Sequence, residues 1–281
     1  MAEICRMRMS SMTIQIPHFD LAATLSCGQL FRYEPHKNGF YVMSGARKVY
    51  ISQNERGVTF HGVPNAEVES FWAHYFDLSR DYTEILNTLK SIDPIIKAAA
   101  EFSPGIRILN QDPWETLIGF IISANNSIPH IMRCMNNLFE TFGESVAFPS
   151  AEILATLSED DLKCCKTGFR GKYIIDAAKK VASGELDFPS CADLSTDELR
   201  KQLMSVKGVG VKVADCVMMF SHGRREVFPV DVWINRAVSN FYFGGEERGG
   251  AEIQAFAREK FGKYAGYANQ ALFHYARSMK I

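Results

Sequence analysis

The sequence predicts an α+β protein, and three observations predict it. Short alternating segments separated by turn signals run from residue 12 to residue 61. Helical patterning dominates from Asp93 onward. Between two of the late helical stretches lies a glycine-rich hairpin, Val206-Lys207-Gly208-Val209-Gly210. Strands gathered ahead of helices, rather than alternating with them, mark the α+β class.

The elements follow in order. Met12–Pro17 alternates as a short strand, and Phe40–Met43, Lys48–Ser52 and Val58–His61 read as further strands. The punctuation between them is His36-Lys37-Asn38-Gly39, Ser44-Gly45 and Asn54-Glu55-Arg56-Gly57. Such a set makes an antiparallel meander with one face free to pack. Ala66–Tyr75 and Tyr82–Lys90 read as helices, the second capped by Asp81. Asp112-Pro113 opens a further helix, with Asp as cap and Pro in the first turn. Its apolar run Leu117, Ile118, Phe120, Ile121 and Ile122 predicts deep burial. Ser158–Asp161 and Ser195–Glu198 each place an acid three residues after a serine, the capping-box pattern. No internal repeat or low-complexity tract interrupts the chain.

Composition bounds the function classes. The chain of 281 residues is 47% hydrophobic, enough for one large or two modest cores. A formal net charge of −1 gives no bulk attraction to nucleic acid, so any such surface must be a local patch. Lys163, Lys166, Arg170, Lys172, Lys179 and Lys180 form one. Seven cysteines at irregular spacing make no disulfide framework and suit a reducing interior. Cys5, Cys134, Cys164, Cys165 and Cys191 read as small buried or semi-buried residues. The start MAEICRMRMS has no long apolar run, so we expect no secretory signal, and no segment reaches the length of a membrane span. An intracellular protein is expected.

The segment Leu203–Asp231 carries the chemistry. Glycines at 208 and 210 let backbone approach an anion closely, and the helix that follows points free N–H groups and its positive dipole end at that anion. A DNA phosphate is the natural occupant. Lys212 then lies in the first helical turn, and Asp231 follows the apolar run Val227-Phe228-Pro229-Val230, which predicts at least partial burial. A lysine and a carboxylate held beside DNA point to attack on a sugar carbon. Each piece alone is commonplace: GxG before a helix is a frequent turn, and an Asp after proline is often a cap. Their order and spacing are more specific.

In that order and spacing the chain resembles the helix-hairpin-helix DNA glycosylase superfamily, and within it the 8-oxoguanine DNA glycosylases. Further motifs carry the resemblance: Ser26–Tyr33, Gly105–Pro113, Ile122–Ile128 and Ala265–Phe273. It implies an N-terminal antiparallel sheet with helices (1–104) packed on an α-helical body (105–281) containing the hairpin motif at about 196–222. It implies a glycosylase that also nicks the backbone, acting as a monomer on double-stranded DNA containing 8-oxoguanine. No cofactor is required, although hairpin carbonyls in this family hold a monovalent cation. No iron–sulfur cluster is expected, since no cysteine follows Cys216.

The resemblance also assigns roles. Lys212 is the nucleophile and Asp231 stabilises charge on the sugar or positions the nucleophile. Gly28 offers its carbonyl to the lesion, while Phe273 and Cys216 stack on the two faces of the base. Asn269, counted back from Phe273, or its neighbour Gln270 reads the base edge. Asn125 fills the hole left by the extruded nucleotide, Phe169 wedges beside it and Arg170 contacts the orphaned base. Gly208, Gly210 and Val213 meet DNA, and Trp233 packs beside the hairpin or touches the backbone. A second arginine for the orphaned cytosine is missing, because the matching position is His130. The rivals are a related glycosylase for another damaged base and a non-catalytic hairpin module, for which Lys212 and Asp231 would be dispensable.

Overall fold

The computed structural model describes residues 11–279. Five strands form one antiparallel sheet: β1 (Ser11–Ile14), β2 (Tyr33–His36), β3 (Gly39–Ser44), β4 (Arg47–Asn54) and β5 (Gly57–His61), in spatial order β1-β5-β4-β3-β2. The three turn signals become two-residue hairpins, closed by the pairs His36↔Gly39, Ser44↔Arg47 and Asn54↔Gly57. β2 has no counterpart in the sequence reading because Pro35 breaks its strand pattern. It survives as an edge strand, where a missing N–H is tolerated. Val42, Val49, Ile51, Val58 and Phe60 turn one face of the sheet inward onto Leu25, Trp72 and Phe76.

Helix α1 (Leu21–Ser26) sits between β1 and β2, capped by Asp20. After the sheet, α2 (Asn65–Glu67) and α3 (Ala73–Tyr75) flank a π-turn at Val68–Trp72, so the expected helix is continuous but locally widened. Next come α4 (Tyr82–Ile92), α5 (Pro94–Phe102), α6 (Pro113–Ser123), α7 (Ile128–Phe142) and α8 (Ala151–Ala155). Asp81 and Asp112 cap α4 and α6 as expected, accepting from the N–H of Thr83 and Glu115. The remaining helices are α9 (Gly171–Ala182), α10 (Thr196–Met204), α11 (Val211–Ser221), α12 (Val232–Tyr242), α13 (Gly250–Phe261) and α14 (Ala265–Met279).

Two apolar cores result. The first joins the sheet to α1 and the 65–76 segment. The second runs through the helical body and takes in Leu86, Leu89 and Ile96, so α4 and α5 pack with the late helices. The capping box at Ser195 opens α10 with both reciprocal bonds. The Ser158–Asp161 pair makes its bonds too, but only a 3-10 turn, Asp161–Cys165, follows. That turn corrects one expectation: Cys165 points inward while Cys164 is exposed. Cys5 lies outside the described residues. Among the described residues, no helix is long and apolar enough to cross a membrane.

Candidate active site

The hairpin stands between α10 and α11, which are joined by an ion pair whose Asp215 end is buried. Arg200 of α10 donates through Nε to Asp215 of α11 at 2.7 Å, and Gln254 of α13 donates to the other Asp215 oxygen at 2.6 Å. Beneath the hairpin lies α9. Asp176 accepts the Lys207 N–H at 2.8 Å, and the Tyr173 ring underlies Gly208. Gly208 has φ +80°, and a Cβ there would stand 2.5 Å from that ring. Its glycine is therefore demanded by conformation and packing. Gly210 has an extended backbone with open space around it, and no side chain caps the N–H groups of the first α11 turn. Here an anion can come close. Val213 is 6% exposed and its side chain belongs to the core, which corrects its expected place in contact with DNA through that side chain.

Lys212, in the first turn of α11, reaches across to α6. Its Nζ donates to Ser123 Oγ at 3.1 Å and lies 5.1 Å from the Phe120 ring centroid. Asp231 is the N-cap of α12 and accepts the Ile234 N–H at 2.8 Å through Oδ1. Asp231 thus caps a helix and lines the same cavity as Lys212.

That cavity, of about 330 Å³, is bounded by Gly28, Cys216, Asn269, Gln270, Phe273 and Trp233 as well. The eight residues come from the α1–β2 turn, α11, the α12 start and α14. Gly28 has φ +87° and sits against Phe273, where a Cβ would fall 3.4 Å from Cε1 and 3.3 Å from Ile128 Cδ1. Trp233 is 40% exposed at the rim. Burial pushes the Cys216 thiol up to about 12, and that of Cys27 up to about 11, so both remain protonated at neutral pH. Asn269 Nδ2 donates to the Pro229 carbonyl at 2.9 Å, and Gln270 Nε2 to Cys27 Sγ at 3.1 Å.

Asn125, Phe169 and Arg170 form a second group outside the cavity wall. Asn125 is exposed at φ +49°. Phe169 is 54% exposed, with the Arg170 guanidinium 4.4 Å from its ring centroid. Arg170 itself is buried. It donates to the carbonyls of Ala124, Asn125 and Thr167, and so braces the Asn125 turn rather than standing free for a base. The basic patch is also thinner than its sequence implies. Lys163 pairs with Asp160 and Lys180 with Glu185, both acids just beyond the basic run. Sequence reasoning missed Ser123, Cys27 and Arg277 as cavity residues. Ser123 lay inside a quoted motif, but nothing local marks it as a lysine's partner.

Comparison with known proteins bears on this arrangement. Residues 118–263 match the model of HhH-GPD superfamily base excision DNA repair proteins, and residues 11–117 match the N-terminal domain of 8-oxoguanine DNA glycosylase. The chain belongs to the HhH-GPD superfamily, in its 8-oxoguanine glycosylase branch. This superfamily member is 27% identical to a probable N-glycosylase/DNA lyase of Methanothermobacter thermautotrophicus, over 95% of the chain and 96% of that protein. Two solved structures superpose closely. MBOgg1, in complex with a low-affinity DNA ligand, gives 38% identity and a TM-score of 0.92, covering 98% of this chain and all of that one (100%). The 8-oxoguanine glycosylase/lyase of Clostridium acetobutylicum, with double-stranded DNA containing cytosine opposite 8-oxoG, gives 36% identity and a TM-score of 0.91, covering 97% and 98%.

Proposed function

We propose that this chain is a bifunctional DNA glycosylase and AP lyase that excises 8-oxoguanine from duplex DNA in base excision repair. The observation that carries the reading is the meeting of Lys212 and Asp231 in one cavity with Gly28 and Phe273. Similarity to glycosylase/lyase enzymes over nearly the whole chain supports it.

The chemistry follows from the groups present. The damaged nucleotide leaves the stack and its base enters the cavity. Phe273 and Cys216 supply the apolar faces. 8-Oxoguanine carries a hydrogen on N7 where guanine has a lone pair, so the Gly28 carbonyl accepts from the lesion and repels the normal base. Asn269, with its amide nitrogen on Pro229, has its carbonyl oxygen left for the donors of the Watson–Crick edge. Lys212 Nζ, as a free amine, attacks C1′ and the bond from C1′ to the base breaks. Asp231 opposes the positive charge that develops on the sugar. The amine and C1′ form a Schiff base as the sugar ring opens. Loss of a C2′ proton then expels the 3′ phosphate, and water releases the lysine.

No step calls on a cofactor. The carbonyls of Lys207 and Val209 accept no hydrogen bond from the described residues, which suits them to a monovalent cation bridging to phosphate. Asn125 and Phe169 occupy the gap in the duplex. The assay that tests the reading offers duplexes with 8-oxoguanine, other oxidised bases or alkylated bases. Release of 8-oxoguanine with strand scission is expected. Binding of the duplexes without release of any base favours the non-catalytic hairpin module instead.

A further inference from the structure

The turn that presents Gly28 is held from two sides. On one side Gln29 ties it to the body. Its Nε2 donates to the carbonyls of Thr24 at 2.9 Å and Arg107 at 2.8 Å, and its Oε1 accepts the Leu109 N–H at 3.0 Å. On the other side the tie comes from α14: Gln270 Nε2 to Cys27 Sγ at 3.1 Å, between side chains that are 6% and 1% exposed. Cys27 also receives Gln29 Nε2 at 3.3 Å and donates its S–H to the Thr24 carbonyl at 3.2 Å. The thiol is thus a junction, with the Gly28 turn on one side and α14 on the other.

Three residues after Gln270 on the same helix stands Phe273. Gly28 would read the edge of the base and Phe273 one of its faces, so the placement of one relative to the other must match the position of the lesion's edge. We infer that Gln270 is a positioning residue: by holding the Cys27 thiol it sets Gly28 against Phe273 and thereby the enzyme's selectivity for 8-oxoguanine. This rests on the proposed function. A neutral, buried amide is well suited to the task. It adds no charge beside the base, and its N–H would be orphaned if the thiol moved away. The amide nitrogen is committed to the wall, so Gln270 acts through Gly28 rather than on the lesion's donors.

The test compares 8-oxoguanine excision with strand cleavage at a preformed abasic site, which needs no base recognition. Single-turnover rates are measured for the full chain, Gln270→Met, Cys27→Ala, Cys27→Ser and the Gln270→Met/Cys27→Ala double variant. A wall displaced by a fraction of an ångström should lower the ratio of excision to abasic cleavage by about tenfold or more in Gln270→Met and Cys27→Ala. Cys27→Ser, which keeps a donor and an acceptor, should stay within about threefold of the unaltered chain, and the double variant should match the worse single one. If Gln270→Met does not fold, Cys27→Ala reads the same contact from its other end. An unchanged ratio, an equal fall in both activities, or additive losses overturn the inference. An unaltered chain that cleaves abasic sites but never releases 8-oxoguanine overturns the proposed function itself.

Discussion

Lys212 and Ser123 are joined by a hydrogen bond of 3.1 Å, although 89 residues separate them. The serine ends α6 and the lysine begins α11, so the bond fixes the direction of the side chain into the cavity. Ser123→Ala removes the acceptor and frees the lysine to rotate. Excision of 8-oxoguanine should slow by about tenfold, the kinetic equivalent of losing one positioning hydrogen bond of about 1.4 kcal/mol. Single-turnover kinetics check this, and an unchanged rate would mean that Ser123 is only a neighbour.

Asp231 combines a cap and a charge, and two substitutions separate them. Asn is as good a cap as Asp, so Asp231→Asn should leave stability nearly unaltered, while Asp231→Ala should cost about 1 kcal/mol. Both should reduce excision by about a hundredfold or more, because both remove the carboxylate. Thermal melts alongside rate measurements distinguish the two contributions.

The hairpin glycines differ in the same way. Gly208→Ala forces a Cβ into Tyr173 at φ +80° and should destabilise the protein by about 2 kcal/mol. Gly210→Ala meets open space on an ordinary extended backbone, so its stability cost should be below about 1 kcal/mol. It should nevertheless weaken duplex binding, since the added methyl stands where phosphate must approach. Denaturant melts and binding titrations of the two variants test the contrast.

Selectivity for the base opposite the lesion should be weak. His130 stands where a second arginine is expected, with Nδ1 3.6 Å from Cys134 Sγ, and Arg170 has its guanidinium on backbone carbonyls. A bidentate arginine contact contributes about 1–3 kcal/mol of discrimination. Without it, excision opposite cytosine should exceed excision opposite the other three bases by less than about tenfold. Rates against all four opposing bases decide the matter, and strong cytosine preference refutes the prediction.

Local chemistry explains what the sequence made legible. The hairpin, the Asp112 cap and the Ser195 capping box depend on residues within a few positions of one another, and each formed as read. Lys212 and Asp231 were visible because a short strip of chain holds both. The β2 edge strand was obscured by Pro35, whose penalty vanishes only when the strand lies at the margin of a sheet. Arg170 looked like a free cation because its carbonyl partners, Ala124 and Asn125, belong to a distant turn. The Gln270–Cys27 contact spans 243 residues, and no periodicity encodes such a meeting.

The most direct test is borohydride trapping on duplex DNA containing 8-oxoguanine. Attack by the Lys212 amine predicts a covalent protein–DNA adduct that disappears in Lys212→Gln, while that variant still binds the duplex. An adduct that persists in Lys212→Gln, or its absence from an unaltered chain that releases the base, would contradict the assignment of the nucleophile.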